Sequence, residues 1–151
     1  RDRSYLDLTG QFDLIWCAGA VYFHGIEAVL SAWGPHLRTG GAVAFSEPSW
    51  MMEPPSQAAK AFWAGEYEPK TRGEIEAEIH AAGWGVLGQH WVVDEPWAAF
   101  YGPMSARLDM LEEQGPDPAL KDAIAEARAE IARWRAARDE IAYSLFVVRP
   151  V

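Results

Sequence analysis

Cysteine is almost missing from this 151-residue chain: Cys17 stands alone. Without a second thiol there is no internal disulfide framework and no multi-cysteine zinc site, and a reducing, cytoplasmic setting is the expectation. Cationic residues are scarce too, 13 Lys and Arg against 22 Asp and Glu, a formal net charge of −9. That balance argues against a nucleic-acid partner. No apolar run approaches the ~20 residues that span a bilayer, and no signal-peptide pattern opens the chain, so no membrane partner is expected. The four histidines fall in unrelated stretches. His24 and Glu27 share one helix face at most, and two ligands do not make a metal site, so no metal is expected. The first residue is Arg1 and not Met, from which we expect a part of the protein upstream.

What is present is core material. Half the residues are hydrophobic and eight are Trp, enough for one domain over residues 1–151. The stretch from Phe12 to Trp50 organises the rest. Phe12 to Cys17 is a short apolar run with Asp13 near its start, and Ala18, Gly19 and Ala20 give it a small-residue exit. From Gly25 onward, Ile26, Val29, Leu30, Trp33 and Leu37 recur at helical spacing, with Pro35 bending or shortening the helix. Gly40-Gly41 reads as the turn that closes it, and Ala42 to Phe45 as a second buried strand, followed by a Pro- and Met-rich loop over 46–56. This is a strand–helix–strand unit of a parallel sheet, in which ligands sit beyond the carboxyl ends of the strands.

Downstream, Ser56 caps a short helix to about Trp63. Thr71 with Glu74 three residues on has the capping-box spacing for a helix ending before Gly83. Trp84 to Val93 reads as a strand weakened by Gly85 and Gly88. Asp94 to about Gln114 reads as a helix capped by Asp94 and broken at Gly102-Pro103. After Gly115-Pro116-Asp117-Pro118 a long helix runs to about Glu140, and Ala142 to Val148 is the last strand. Gly83-x-Gly85-x-x-Gly88 copies a nucleotide-binding glycine pattern but follows a helix and enters a strand, the wrong context for a phosphate turn.

Phe-Asp-Leu-Ile-Trp-Cys-Ala-Gly-Ala-Val-Tyr from Phe12, Leu-Arg-Thr-Gly-Gly from Leu37, and Ala-Val-Ala-Phe-Ser-Glu-Pro-Ser-Trp from Ala42 together resemble the fourth and fifth strands of class I S-adenosylmethionine-dependent methyltransferases. The likeness is greatest to the small-molecule group related to ubiquinone and menaquinone biosynthesis methyltransferases. Glu-x-x-Ile-x-x-Ala-Gly-Trp at Glu76 to Trp84 is similar to the helix before their sixth strand, and Tyr-Ser-Leu-Phe-Val-Val from Tyr143 to their seventh, antiparallel strand. The resemblance spans the chain apart from the helix at 119–140. It implies an α/β, partial Rossmann-like fold: strands 4-5-7-6 of a seven-stranded sheet, the carboxyl-terminal half of such a domain. The family's glycine-rich turn and the acidic residue for the ribose are not in these residues. The strand at 12–17 would then be an edge that invites pairing with the missing amino-terminal half or with a second copy.

The same resemblance implies S-adenosylmethionine as cofactor, with Cys17, Ala18 and Gly19 lining its methionyl and ribose region and Asp2 near the adenine. A small-molecule substrate would approach Tyr22, Phe23 and His24. His24 is a candidate general base because histidine titrates near neutrality, and Glu47, at the end of the second strand, is a candidate to hold a substrate group or take a proton. Trp50, Met51, Met52, Phe62, Trp63 and Tyr67, with Trp97, Phe100 and Tyr101, are aromatic and thioether-rich and suit a lid over an apolar or aromatic substrate. No basic neighbour is placed to activate Cys17 as a nucleophile. The rival readings are a non-catalytic half-domain serving as a binding or dimerisation module, and a nicotinamide-dependent oxidoreductase, whose fingerprint and Tyr/Lys pair are not in these residues.

Overall fold

In a computed structural model, which describes residues 9–65 and 68–151, the chain divides into two compact units. Asp2 and Tyr67 lie outside the described residues. The first unit is a sheet with helices, built from residues up to Trp50, Pro69–Val92 and Tyr143–Val151; the second is helical, built from Met51–Glu68 and Val93–Ala142.

The sheet unit follows the strand–helix–strand expectation. Strand β1 is Phe12–Cys17 and helix α1 is Ile26–Trp33, which buries the stripe Ile26, Val29, Leu30 and Trp33. Pro35 shortens α1 as expected, and the chain turns through one 3-10 turn over Gly34–His36. Strand β2 is Leu37–Trp50, much longer than Ala42 to Phe45. Gly40-Gly41 is therefore not a helix stop but an irregularity inside β2. The parallel register jumps there from Phe12 opposite Leu37 to Leu14 opposite Ala42. A Cβ on Gly41 would lie 3.0 Å from the carbonyl oxygens of Arg38 and Phe12, so the close backbone approach needs glycine. At its far end β2 continues past Phe45 because Ser49 and Trp50 find a second partner, strand β3 at Lys70–Thr71. Residues 46–50 are thus strand, not loop.

Helix α2 is Gln57–Trp63, with Ser56 accepting from the Ala59 N–H. Helix α3, Arg72–Ala81, carries the full Thr71/Glu74 capping box. Strand β4 is Trp84–Val92, helix α4 Glu95–Glu113, helix α5 Pro118–Ala137 and strand β5 Ile141–Pro150. The sheet order is β1-β2-β5-β4, with β3 beside β2 and β4 antiparallel to β5. This is the 4-5-7-6 order the resemblance implies. The core lies on the α1/α3 face, where Ile15, Val43, Phe45, Phe146 and Val148 meet both helices.

In the helical unit, α4 runs straight through Gly102-Pro103, where a break was expected. Contacts to α5 on both sides of the proline hold it. Tyr101 donates to Glu130 Oε1 at 2.7 Å and stacks on Trp134, while Arg128 bridges Asp109 and Glu112 beyond it. Asp94 makes no side-chain cap; it pairs with Arg138 instead. Asp117 caps α5 through the Leu120 N–H.

Candidate active site at the carboxyl ends of the parallel strands

Strand β1 ends at Cys17, opposite Phe45 of β2. The chain leaves it through exposed Ala18 and through Gly19 at φ +65°, a left-handed conformation that favours glycine. The Gly19 N–H donates to Ser46 Oγ at 2.8 Å. The Tyr143 ring stands 3.9 Å from where a Cβ on Gly19 would lie. The expected cofactor segment Cys17, Ala18 and Gly19 therefore meets Ser46, at the end of the second strand, and Tyr143, which sequence reasoning did not select as a site residue. Tyr143 was findable in principle: an antiparallel last strand brings its first residues, not its last, to this edge of the sheet.

Alternation along β2 puts Val43, Phe45 and Glu47 on the face that makes the core. The first two are fully buried, and Glu47 is only 5% exposed. A carboxylate thus occupies what periodicity reserves for an apolar side chain. Its Oε1 has no hydrogen-bond partner among the described residues, and the nearby Tyr22 backbone N–H favours its charged form only in part. Burial pushes its pKa up to about 7, Lys70 pulls it down in part, and Glu78 pushes it up. Lys70 cannot neutralise it fully because it donates to Glu78 Oε1 at 2.5 Å. Cys17 is half-buried, and burial together with the Glu47 carboxylate raises its thiol pKa, the opposite of nucleophile activation.

Between Gly19 and α1 the chain makes a 3-10 turn, Val21–Phe23. Val21 is buried beneath it, Tyr22 is half-buried, and Phe23 is exposed with its ring 4.3 Å from that of Tyr22. His24 opens onto a groove of about 330 Å³ between α1 and α3, lined also by Ile26, Glu27, Glu78 and Ala82. Glu47 is not in that lining, so the two candidate proton acceptors do not share this groove. Trp50 ends β2 opposite Thr71. Trp63, Trp97 and Tyr101 come together in the helical unit, Trp63 edge-on to Trp97 at 5.9 Å and Trp97 stacked on Tyr101 at 6.2 Å. Trp63 and Tyr101 are buried within that unit's packing and Trp97 is half-buried. Arg72, which sequence reasoning passed over, stacks 3.8 Å over Trp91 and donates through Nε to Ser144 Oγ.

No family model and no curated protein sequence matches the chain. Solved structures do. An S-adenosylmethionine-dependent methyltransferase from Geobacter sulfurreducens, in complex with S-adenosyl-L-homocysteine, superposes with a TM-score of 0.79 at 19% identity over 95% of this chain and 60% of that one. A methyltransferase of the same description from Thiobacillus denitrificans, also with S-adenosyl-L-homocysteine, gives 0.75 at 18% identity over 95% and 60%. The fold is that of S-adenosylmethionine-dependent methyltransferases. The [4+2]-cyclase SpnF is similar as well, with a TM-score of 0.65 at 14% identity over 97% of this chain and 53% of that one. The methyltransferase fold therefore hosts more than one chemistry, and the reaction has to be argued from the site. The chain spans about 60% of the length of the two methyltransferase structures.

Proposed function

We propose that the chain is the carboxyl-terminal, substrate-facing part of a cytoplasmic S-adenosylmethionine-dependent methyltransferase of the ubiquinone/menaquinone-like small-molecule group, acting on a small apolar or aromatic molecule. The observation that carries the reading is Glu47. A carboxylate with an unpartnered oxygen is buried at the carboxyl end of a parallel strand, one residue from the serine that fixes Gly19. Buried acids with strongly raised pKa values cluster at functional sites.

When bound, S-adenosylmethionine supplies a methyl group already activated by a positively charged sulfur. These residues fit one wall of its site. Cys17, Ala18 and Gly19 offer a small, close-approach backbone edge, and the glycine-rich turn and ribose acid that would complete it are not among residues 9–151. What the chain then has to do is align the acceptor, exclude water and take up the proton the acceptor releases. His24, on its groove, and Glu47, with its free oxygen, are the proton acceptors. Tyr22, Phe23 and Trp50 form the apolar surroundings.

Calorimetric titration with S-adenosylhomocysteine tests the reading. Saturable binding to a longer chain that includes an amino-terminal half, and none to these 151 residues, is the expected result. No binding by either chain would instead favour a non-catalytic binding module.

The missing wall also has a seat. Among the described residues strand β1 is one edge of the sheet, and Leu14 and Trp16, 52% and 60% exposed, lie on the face opposite Ile15. The other edge, β4, is interrupted at Leu87, where the register skips between Val86 and Gly88, the kind of bulge that spoils edge pairing. The amino-terminal half of the same domain is the occupant proposed for β1. In its absence the 151-residue chain should self-associate in sedimentation equilibrium, and Trp16→Lys should return it to monomer. A wild-type chain that stays monomeric at high micromolar concentration would rule the seat out.

A further inference from the structure

Arg72 is a cation without an acid. Among the described residues, the Lys and Arg side chains that are not exposed belong to Lys70, Arg72 and Arg128. Lys70 holds the Glu78 carboxylate, and Arg128 holds those of Asp109 and Glu112. Arg72 makes no ion pair among the described residues. Glu76, one turn further along α3, favours its charge without pairing with it. Acids are not scarce, with 22 Asp and Glu against 13 Lys and Arg. Arg72 Nη2 is nevertheless buried and has no hydrogen-bond partner among the described residues. A guanidinium stays charged at any ordinary pH, so an unmet N–H on it costs more than one on a neutral group.

What holds Arg72 also aims it. Its guanidinium carbon lies 3.8 Å over the Trp91 ring, and its Nε donates to the Oγ of fully buried Ser144 at 3.4 Å. Trp91 and Ser144 are directly opposite each other on β4 and β5. The next residue of β5 toward its start, Tyr143, stands beside Gly19, and Arg72 itself follows Thr71, which pairs with Trp50 at the end of β2. The cluster is therefore at the carboxyl ends of the parallel strands. Stacking and the bond through Nε fix the plane of the fork and leave Nη2 unspent, and neither an indole nor a hydroxyl neutralises the charge. Arg72 and Trp91 are each half-buried, so the stacked pair has a side open to solvent.

We propose that Arg72, held by Trp91 and Ser144, is a carboxylate-binding residue for the small-molecule acceptor, reached by a rotamer-scale shift of the half-buried indole. The acceptor is then an acid with an apolar or aromatic body. A planar guanidinium meets a carboxylate in two parallel hydrogen bonds, a match that a lysine does not offer. That the carboxylate belongs to a methyl acceptor rests on the function proposed above; that Arg72 binds one does not.

NMR of the whole 151-residue chain in mildly acidic buffer, read at the Arg72 Nε–H and the Trp91 indole N–H, tests this with benzoate as the probe. Benzoate should move both resonances saturably, and benzamide, the same shape without the charge, should not. Arg72→Gln should weaken benzoate binding by at least about tenfold, the loss of a charge-assisted hydrogen bond, and Arg72→Lys should recover part of it. Wild-type resonances that benzoate leaves unmoved would overturn the site without recourse to any variant. Inorganic phosphate that matches benzoate would mark the site as one for an adventitious ion only and overturn the carboxylate assignment. S-adenosylhomocysteine carries the other carboxylate with access to this edge of the sheet. If it moves these resonances in a longer chain and benzoate does not, Arg72 serves the cofactor and the acceptor assignment falls. Benzoate binding with no binding of S-adenosylhomocysteine by either chain would keep the carboxylate site and remove the methyltransferase reading instead.

Discussion

Glu47→Gln should make the chain more stable at pH 8 and do so by much less at pH 5. A carboxyl raised from its ordinary value of 4.5 to about 7 is protonated in both the folded and the unfolded chain below pH 4.5 and contributes nothing there. Between about pH 4.5 and 7 the unfolded chain has released its proton while the folded chain still holds it, so stability falls as pH rises. Above 7 both states are ionised and the full cost of burying the charge is present, on the order of 3 kcal/mol. Glutamine keeps the size and shape of the side chain and removes the charge, so it should abolish the slope. Urea unfolding at pH 5 and pH 8 checks this. If wild type and variant lose the same stability across that range, another group titrates and Glu47 is not the buried acid described here. A residue that costs the fold this much at neutral pH is one that a purely structural role would replace with an apolar side chain, since Val43 and Phe45 precede it on the same face.

The elements most legible in the sequence were those whose signals are local. The apolar run Phe12 to Cys17, the Ile26/Val29/Leu30/Trp33 stripe and the Thr71/Glu74 box each depend on residues within one turn or one strand of each other, and the structure keeps all three. The elements misjudged were those where a distant partner overrides a local signal. Gly40-Gly41 and Pro48 are turn residues by composition, but β1 on one side and β3 beyond Ser49 extend β2 across them. Gly102-Pro103 is a breaker by composition, but the Tyr101 and Arg128 contacts to α5 carry α4 past it. The site divides the same way. Position at the end of the second strand pointed to Glu47, and small residues marked the exit after Cys17. That Tyr143 would stand beside Gly19 depends on how the last strand packs, and no spacing within one segment encodes it. The aromatic residues illustrate the converse. Trp63 and Tyr101 were expected in a lid over the substrate, and the structure buries both within the helices of the second unit.

The largest loss of stability is expected from Phe45→Ala. Phe45 is fully buried, stacks on equally buried Phe146 with ring centroids 5.9 Å apart, and sits opposite Cys17 in the β1–β2 ladder. Removing the ring leaves a cavity over two neighbouring sheet strands whose backbones are held by their own hydrogen bonds, so the sheet wall cannot collapse to fill it. The cost should be about 3–5 kcal/mol, against less than about 1.5 kcal/mol for Phe45→Leu, which keeps most of the volume. Urea unfolding of the three chains measures both. The position gives the experiment a second use. Phe45 precedes Ser46 and shares a face with Glu47, so the cavity opens beside the buried carboxylate. Phe45→Leu, folded but loosened, should therefore increase amide exchange at Gly19, whose N–H is held by Ser46, more than at the start of β2 near Leu37. Equal increases along β2 would show that the strand end is no softer than the strand, and that Gly19 draws its order from the whole sheet.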